Sequence, residues 1–252
     1  MVAWSAARSL VPLALAAGFG IAGLVALGTW QVQRLQWKTA LIEKVRDGTA
    51  TPPLALEAVI DRTDEIDTLE YRRLALRGEF DHAGEQYRHA VHQGRMGWYV
   101  YTPLKTASGP IVFVNRGFVP GELRDPASRA AGLLAGPVDL VGLVRAAPAA
   151  KPNAFVPVGD PAKSEFYWPD LGGMREAAGY GSDRTVAPFF VDADAAPVPG
   201  GWPKGGVTRI RFTNNHLQYA VTWYGLAAAL AAVFIAVVRS RLRREPDGRV
   251  DD

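Results

Sequence analysis

The residues with the most chemical promise crowd the approach to a long apolar stretch near the end of the chain. Thr208-Arg209-Ile210-Arg211-Phe212 alternates as a short strand with both arginines on one side, and Asn214, Asn215, His216 and Gln218 then lead into the apolar run. With a helix beginning near Asn214, His216 and Trp223 stand seven apart on one face, about 10 Å from each other along the axis. A neutral imidazole at a membrane edge, with an aromatic ring one porphyrin-width deeper, has the geometry of a haem wall. The same residues also read as a helix cap at His216 and an interfacial aromatic belt of Tyr219, Trp223 and Tyr224. A polar group in or beside a membrane helix is costly, so His216 is a candidate for function on either reading.

Other constellations offer less. His82, His89 and His92 lie in or near a predicted strand, and His89 and His92, three apart, point to opposite faces, so they do not converge on a metal. Asp61, Asp64, Glu65, Asp67 and Glu70 form an acidic run without the glycine and terminal acid of a calcium loop, and it reads as a solvated face. No nucleophile elbow, Walker loop, zinc-protease helix or kinase signature occurs, so the chain is expected not to be an enzyme. The absence of cysteine excludes disulfide scaffolds, thiolate metal sites and cysteine nucleophiles.

The elements that must position these residues are legible from hydropathy. Leu10 to Leu27 is an uncharged run, and Tyr219 to Val238 is another, each long enough to cross the hydrocarbon layer as a helix. The first is too long for a signal-peptide core and is preceded by a single arginine, so it reads as an uncleaved anchor. Arg239, Arg241, Arg243 and Arg244 follow the second span and place the C-terminus in the cytoplasm, with Arg8 doing the same for the N-terminus. Those four arginines carry the basic excess: the net charge is +3, and without them it is −1. A nucleic-acid partner is therefore not expected, since phosphate neutralisation needs a basic surface on the folded domain. Ala14, Gly18, Ala22 and Ala26 on the first span, and Ala228, Ala232 and Ala236 on the second, form small-residue stripes suited to helix pairing.

Between the spans the pattern changes twice. Gln31 to Arg46 keeps a helical period and is stopped by Thr51-Pro52-Pro53. From Tyr71 onward, short alternating stretches are broken by glycine and proline. Strands are expected at Arg72–Phe80, Gln86–His92, Trp98–Leu104, Ile111–Val119, Val138–Val144, Phe189–Val191 and Val207–Phe212, with one short helix near Leu171–Ala178. The expected fold class is an α+β membrane protein, in which two transmembrane helices flank an extracytoplasmic, mainly antiparallel β domain closed into a barrel or folded as a sandwich. Its divisions are a cytoplasmic N-terminus (1–9), a first transmembrane helix (10–30), the β-rich domain (31–218), a second transmembrane helix (219–238) and a cytoplasmic basic tail (239–252). The fourteen residues after Val238 are too few for the output module of a membrane sensor. A membrane-anchored envelope enzyme is the weaker alternative.

Five phrases, in order along the chain, resemble the Surfeit locus family of cytochrome c oxidase assembly factors. They are Gly28-Thr-Trp30-Gln31-Val-Gln-Arg34-Leu-Gln-Trp37-Lys38, Glu70-Tyr71-Arg72-Arg73-Leu-Ala-Leu-Arg-Gly78-Glu-Phe80, Gly97-Trp98-Tyr-Val-Tyr-Thr102-Pro103-Leu104, Val114-Asn115-Arg116-Gly117-Phe118-Val119-Pro120 and Asn215-His216-Leu-Gln-Tyr219-Ala220-Val-Thr222-Trp223. Phe118 stands where the family motif carries tryptophan. The resemblance implies a factor that binds haem a and assists its insertion into the large subunit of a haem–copper oxidase, with the haem a synthesis machinery and membrane lipid as further partners. Carried onto this chain, it implies His216 as the iron ligand and Trp223 as its aromatic neighbour. Arg209, Arg211 or Arg116 is then expected to pair a propionate. The implied location is the bacterial inner membrane, with both termini cytoplasmic and the main domain periplasmic. A structural chaperone that holds the oxidase subunit without touching haem is the alternative within the same family.

Overall fold

The computed structural model describes residues 2–107, 109–182, 184–208, 210 and 212–243, with side chains from residue 11 onward. Helix α1 (Val2–Ala50) runs without a break from the first apolar span through the amphipathic stretch after it. Thr49 Oγ1 and Thr51 Oγ1 donate to the Val45 and Gly48 carbonyls in its last turn, and Pro52 and Pro53 bar further helix. Helix α5 (His216–Arg243) covers the second apolar run. Both helices are long and apolar enough to cross a membrane. Residues up to 43 of α1 form one compact unit with α5, and residues 44–210 form another.

The second unit opens on two short helices, α2 (Leu56–Ile60) and α3 (Ile66–Leu69). Seven strands follow: β1 (Arg73–Phe80), β2 (Gln86–His92), β3 (Arg95–Thr106), β4 (Ile111–Pro120), β5 (Pro137–Ala146), β6 (Glu165–Phe166) and β7 (Val186–Ala193), with α4 (Leu171–Ala177) between the last two. The sheet runs β1-β5-β7-β4-β3-β2-β6, and β1 also pairs with β3 through Gly78 and Thr106. That extra pairing closes β1, β5, β7, β4 and β3 into a barrel and leaves β2 and β6 as a wing. All pairings are antiparallel except β4 with β7 and β2 with β6.

The period of two along each strand divides the core. Leu74, Leu76, Phe80, Val112, Val114, Phe189 and Val191 face the barrel interior together with Leu104 and Val144. Ile111, Phe113 and Phe190 face the other way, onto Phe166, Met174 and Tyr180 under α4. Strand β4 is therefore buried along its whole length. Each fully buried side chain of this kind contributes roughly 1.5–3 kcal/mol. The Asp170 carboxylate caps α4 by accepting from the Gly173 amide, which fixes the helix against the outer face.

The expected fold class stands, as a barrel-like sheet between two apolar helices. One expected strand does not form. At the described positions of Val207–Phe212 there is no strand, and Thr208 instead donates through Oγ1 to Asp192 Oδ2 at 2.6 Å. The paired edges of β7 are already taken by β4 and β5, so the stretch has no free edge there to join. The two-residue strand β6 has no sequence signal of its own, because it is fixed by pairing with Tyr87 and Arg88 and by a bridge from Glu165 to Asp160.

Candidate functional site

The two long helices pack along one stripe each. On α1 the covered positions include Ala17, Gly28 and Gln31, and on α5 they include Ala220 and Ala227, with His216 and Trp223 half-buried on the same face. The spacing from His216 to Ala220, Trp223 and Ala227 follows the helical repeat, so a single face carries all four. The small-residue stripes expected from sequence are on the wrong faces: Ala14, Gly18, Ala22 and Ala26 are exposed, as are Ala228, Ala232 and Ala236. What decides the face is the fit of large residues into small ones. The Tyr224 ring lies where a Cβ on Gly28 would be, at 2.9 Å, and its hydroxyl is 3.0 Å from Thr29 Oγ1. Leu230 sits against Gly20 in the same way.

His216 is the first residue of α5, and its Nδ1 is 2.7 Å from Gln31 Oε1, with Gln31 only 8% exposed. An amide oxygen can only accept, so Nδ1 carries the proton and donates, and the lone pair of the neutral ring resides on Nε2. This is the arrangement by which a second residue fixes the tautomer and orientation of a ligating imidazole. Gln31 lies in the phrase after the first span, but the sequence gives no sign that it meets a residue 185 positions away. Asn214 donates to Thr39 Oγ1 at 3.4 Å, a second polar tie between the segments that lead out of the two spans.

Arg209 and Arg211 lie outside the described residues. Arg116 belongs to the other unit, where it is 4% exposed, so it is a buried arginine and not a surface one. Its guanidinium lies 4.7 Å over the Phe80 ring, donates to Glu85 Oε1 at 3.3 Å and also donates to the Gly132 carbonyl. Glu85 is shared with Arg129, which is equally buried, and it further accepts from Tyr87 and Thr102. Desolvation pushes the Glu85 carboxyl up, but contacts with His82 and Arg129 and the charges of Arg129 and Arg116 outweigh it and hold the pKa at about 2. Neither Glu85 nor Arg129 was expected from sequence, since a lone acid at the start of a strand and an arginine in a loop carry no pattern.

Three neighbours of Arg116 in its phrase, Asn115, Gly117 and Phe118, have structural causes. Asn115 donates to Asp192 Oδ1 at 2.8 Å and accepts from the Gly117 amide, and Gly117 has φ +124°. A Cβ at Gly117 would fall on the Lys204 carbonyl, which the Phe118 amide needs as its acceptor. His89 stacks on Tyr167 and meets Trp98 at a tilt, and His92 lies against Phe118. Among the described residues no group of three His, Asp or Glu side chains is placed to hold a metal ion.

Similarity to known proteins covers both units. A family model described as "SURF1 family" matches residues 19–228. Surfeit locus protein 1 of Rattus norvegicus is 39% identical over 236 residues, which cover 87% of this chain and 72% of the rat protein. The Homo sapiens protein of the same name is 40% identical, with 81% and 70% covered, and a SURF1-like protein of Monosiga brevicollis is 35% identical, with 88% of each chain covered. With a match that runs from within the first apolar helix to within the second and takes in the barrel between them, this chain belongs to the SURF1 family.

Proposed function

We propose that this protein is an assembly factor for a haem–copper terminal oxidase, acting by holding haem a at the helix pair for insertion into the large oxidase subunit. The observation that carries the reading is the bond from His216 Nδ1 to the buried Gln31, because it leaves Nε2 as a neutral ligand at the edge of an apolar span. The residues present fit the group. His216 would ligate the iron, and Trp223, seven residues on along the same face, would pack on the macrocycle or its tail. Arg209 and Arg211, close before His216 in the chain, are assigned to the propionates. Arg116 belongs to the 44–210 unit and is not assigned to this site.

Haem a, when bound, supplies the redox-active iron centre that the oxidase uses. The chain's own part is binding and shielding: Gln31 orients the imidazole, and the apolar flanks of α1 and α5 suit the farnesyl tail. The role is one of holding and release without turnover. The setting is a bacterial plasma membrane with the 44–210 unit outside and both chain ends in the cytoplasm, and the haem a synthesis machinery is a natural donor.

The test is the visible absorption spectrum of the full chain, purified in mild detergent from a host that makes haem a. Wild type is expected to carry near-stoichiometric haem a, and His216→Ala at matched expression to lose it while remaining folded. Gln31→Leu is expected to bind about 10–100-fold more weakly, the usual cost of losing an outer-shell partner. If neither wild type nor His216→Ala carries haem, or both carry it equally, the reading fails and the structural chaperone takes its place.

A further inference from the structure

The barrel of the 44–210 unit forms one wall of a half-open pocket of about 680 Å³, within the range of small-molecule binding sites. Its walls are apolar: Leu76 and Phe80 from β1, Val138 and Leu140 from β5, and Leu134 and Val198 from the adjoining loops. Leu76 and Phe80 belong to the inward face of the barrel, so the pocket reaches the edge of the core.

The chemistry of the occupant follows from the charge on the wall. Arg116 lines the cavity and is buried, yet its pairing is incomplete. Two guanidiniums, those of Arg116 and Arg129, share the single carboxylate of Glu85, and among the described residues no second carboxylate pairs with either. The cluster therefore holds one uncompensated positive charge in a low-dielectric place, where a charge is costly unless paired.

The mouth limits the class further. Glu57, Asp139 and Asp194 stand there against Arg77 alone, and all four are exposed. Those acids repel every anion in proportion to its charge, so a singly charged carboxylate is opposed less than a phosphate or a nucleotide, and Arg116 can neutralise it alone. We propose that the barrel pocket binds an amphipathic monocarboxylate of the long-chain fatty-acid type, its acid paired with Arg116 and its hydrocarbon along the apolar walls. The site is separate from the His216 reading and does not depend on it.

The experiment uses the full chain in lipid nanodiscs with a diazirine analogue of palmitate, photolysed and mapped by mass spectrometry, beside the methyl ester of the same probe. The acid is expected to label peptides spanning residues 76–80 and 134–141, with at least fivefold less label from the ester, and unlabelled palmitate is expected to compete it away. Label on α1 and α5, which meet lipid in any case, is expected to be the same for both probes and serves as the reference. Val138→Trp, which fills the cavity and leaves the Glu85 cluster intact, is expected to remove the barrel label and spare the helix label. Equal labelling by acid and ester, barrel label that survives Val138→Trp, or no barrel label above that of the exposed loop at residues 153–158 would each overturn the proposal. Haem a content in the same preparation reports on the His216 site independently.

Discussion

Glu85 is expected to contribute to the acid sensitivity of the β unit. Its carboxyl is held at about 2 against an ordinary 4.5, so its folded state binds a proton less readily than its unfolded state. The stabilisation is then fully present above pH 4.5 and is lost as pH falls through the interval down to about 2, a change of roughly 3 kcal/mol at 1.36 kcal/mol per unit. Among the described residues Glu85 is the one carboxylate paired with either buried arginine, so Glu85→Gln is expected to cost about 3–5 kcal/mol at neutral pH. Thermal melting followed by near-UV circular dichroism from pH 7 to pH 2.5 checks both statements. The variant should melt lower at pH 7 and show a flatter decline below pH 4.5, and an unchanged slope would assign the acid sensitivity elsewhere. At this scale the sequence revealed residue type but not partnership. His216 stood out because polar groups beside apolar spans are rare, whereas Gln31, Glu85 and Arg129 became visible only through contacts made across 185, 31 and 44 positions of chain.

At the scale of elements, what was legible was what repeats locally. The period of two gave β1 to β5 and β7 to within a few residues, and the proline pair after Thr51 marked the end of α1. The helix pairing was also legible, but its faces were not. Several stripes of small residues exist on such alanine-rich helices, and the choice among them depends on which large residue has a place to insert. Here Tyr224 inserts at Gly28 and bonds Thr29, and the faces through Ala17 and Ala227 are brought inward as a result. Gly28→Leu would put a side chain where the Tyr224 ring lies and is expected to separate the helices locally. Since the chain lacks cysteine, a Gly20→Cys, Leu230→Cys pair reports on that contact through a short thiol cross-linker without background. Cross-linking should fall several-fold when Gly28→Leu is added and persist with Ala14→Leu, a change of similar size on an exposed face. Equal yields in the two backgrounds would mean that Gly28 does not govern the pairing.

For the whole molecule, the relevant pattern is where charge sits along the chain. Removing the four arginines at residues 239–244 changes the net charge from +3 to −1, so the rest is close to neutral and the basic excess is concentrated beside one end of α5. A juxtamembrane cluster of that kind resists translocation, and an even number of spans then returns the N-terminal end to the same side. The β unit between them, with its cavity and its exposed loop at residues 153–158, faces the opposite compartment on this reading. Single cysteines test it directly: Ala154→Cys in the exposed loop and Ser240→Cys beside the arginines, probed in intact spheroplasts with a membrane-impermeant maleimide. Ala154→Cys is expected to react at once, and Ser240→Cys only after permeabilisation. The reverse pattern would put the 44–210 unit in the cytoplasm. Such a result would also separate two claims that topology joins, because a haem site at the outer end of α5 requires His216 to lie on the side opposite Arg239, whereas the barrel pocket would keep its chemistry in either compartment.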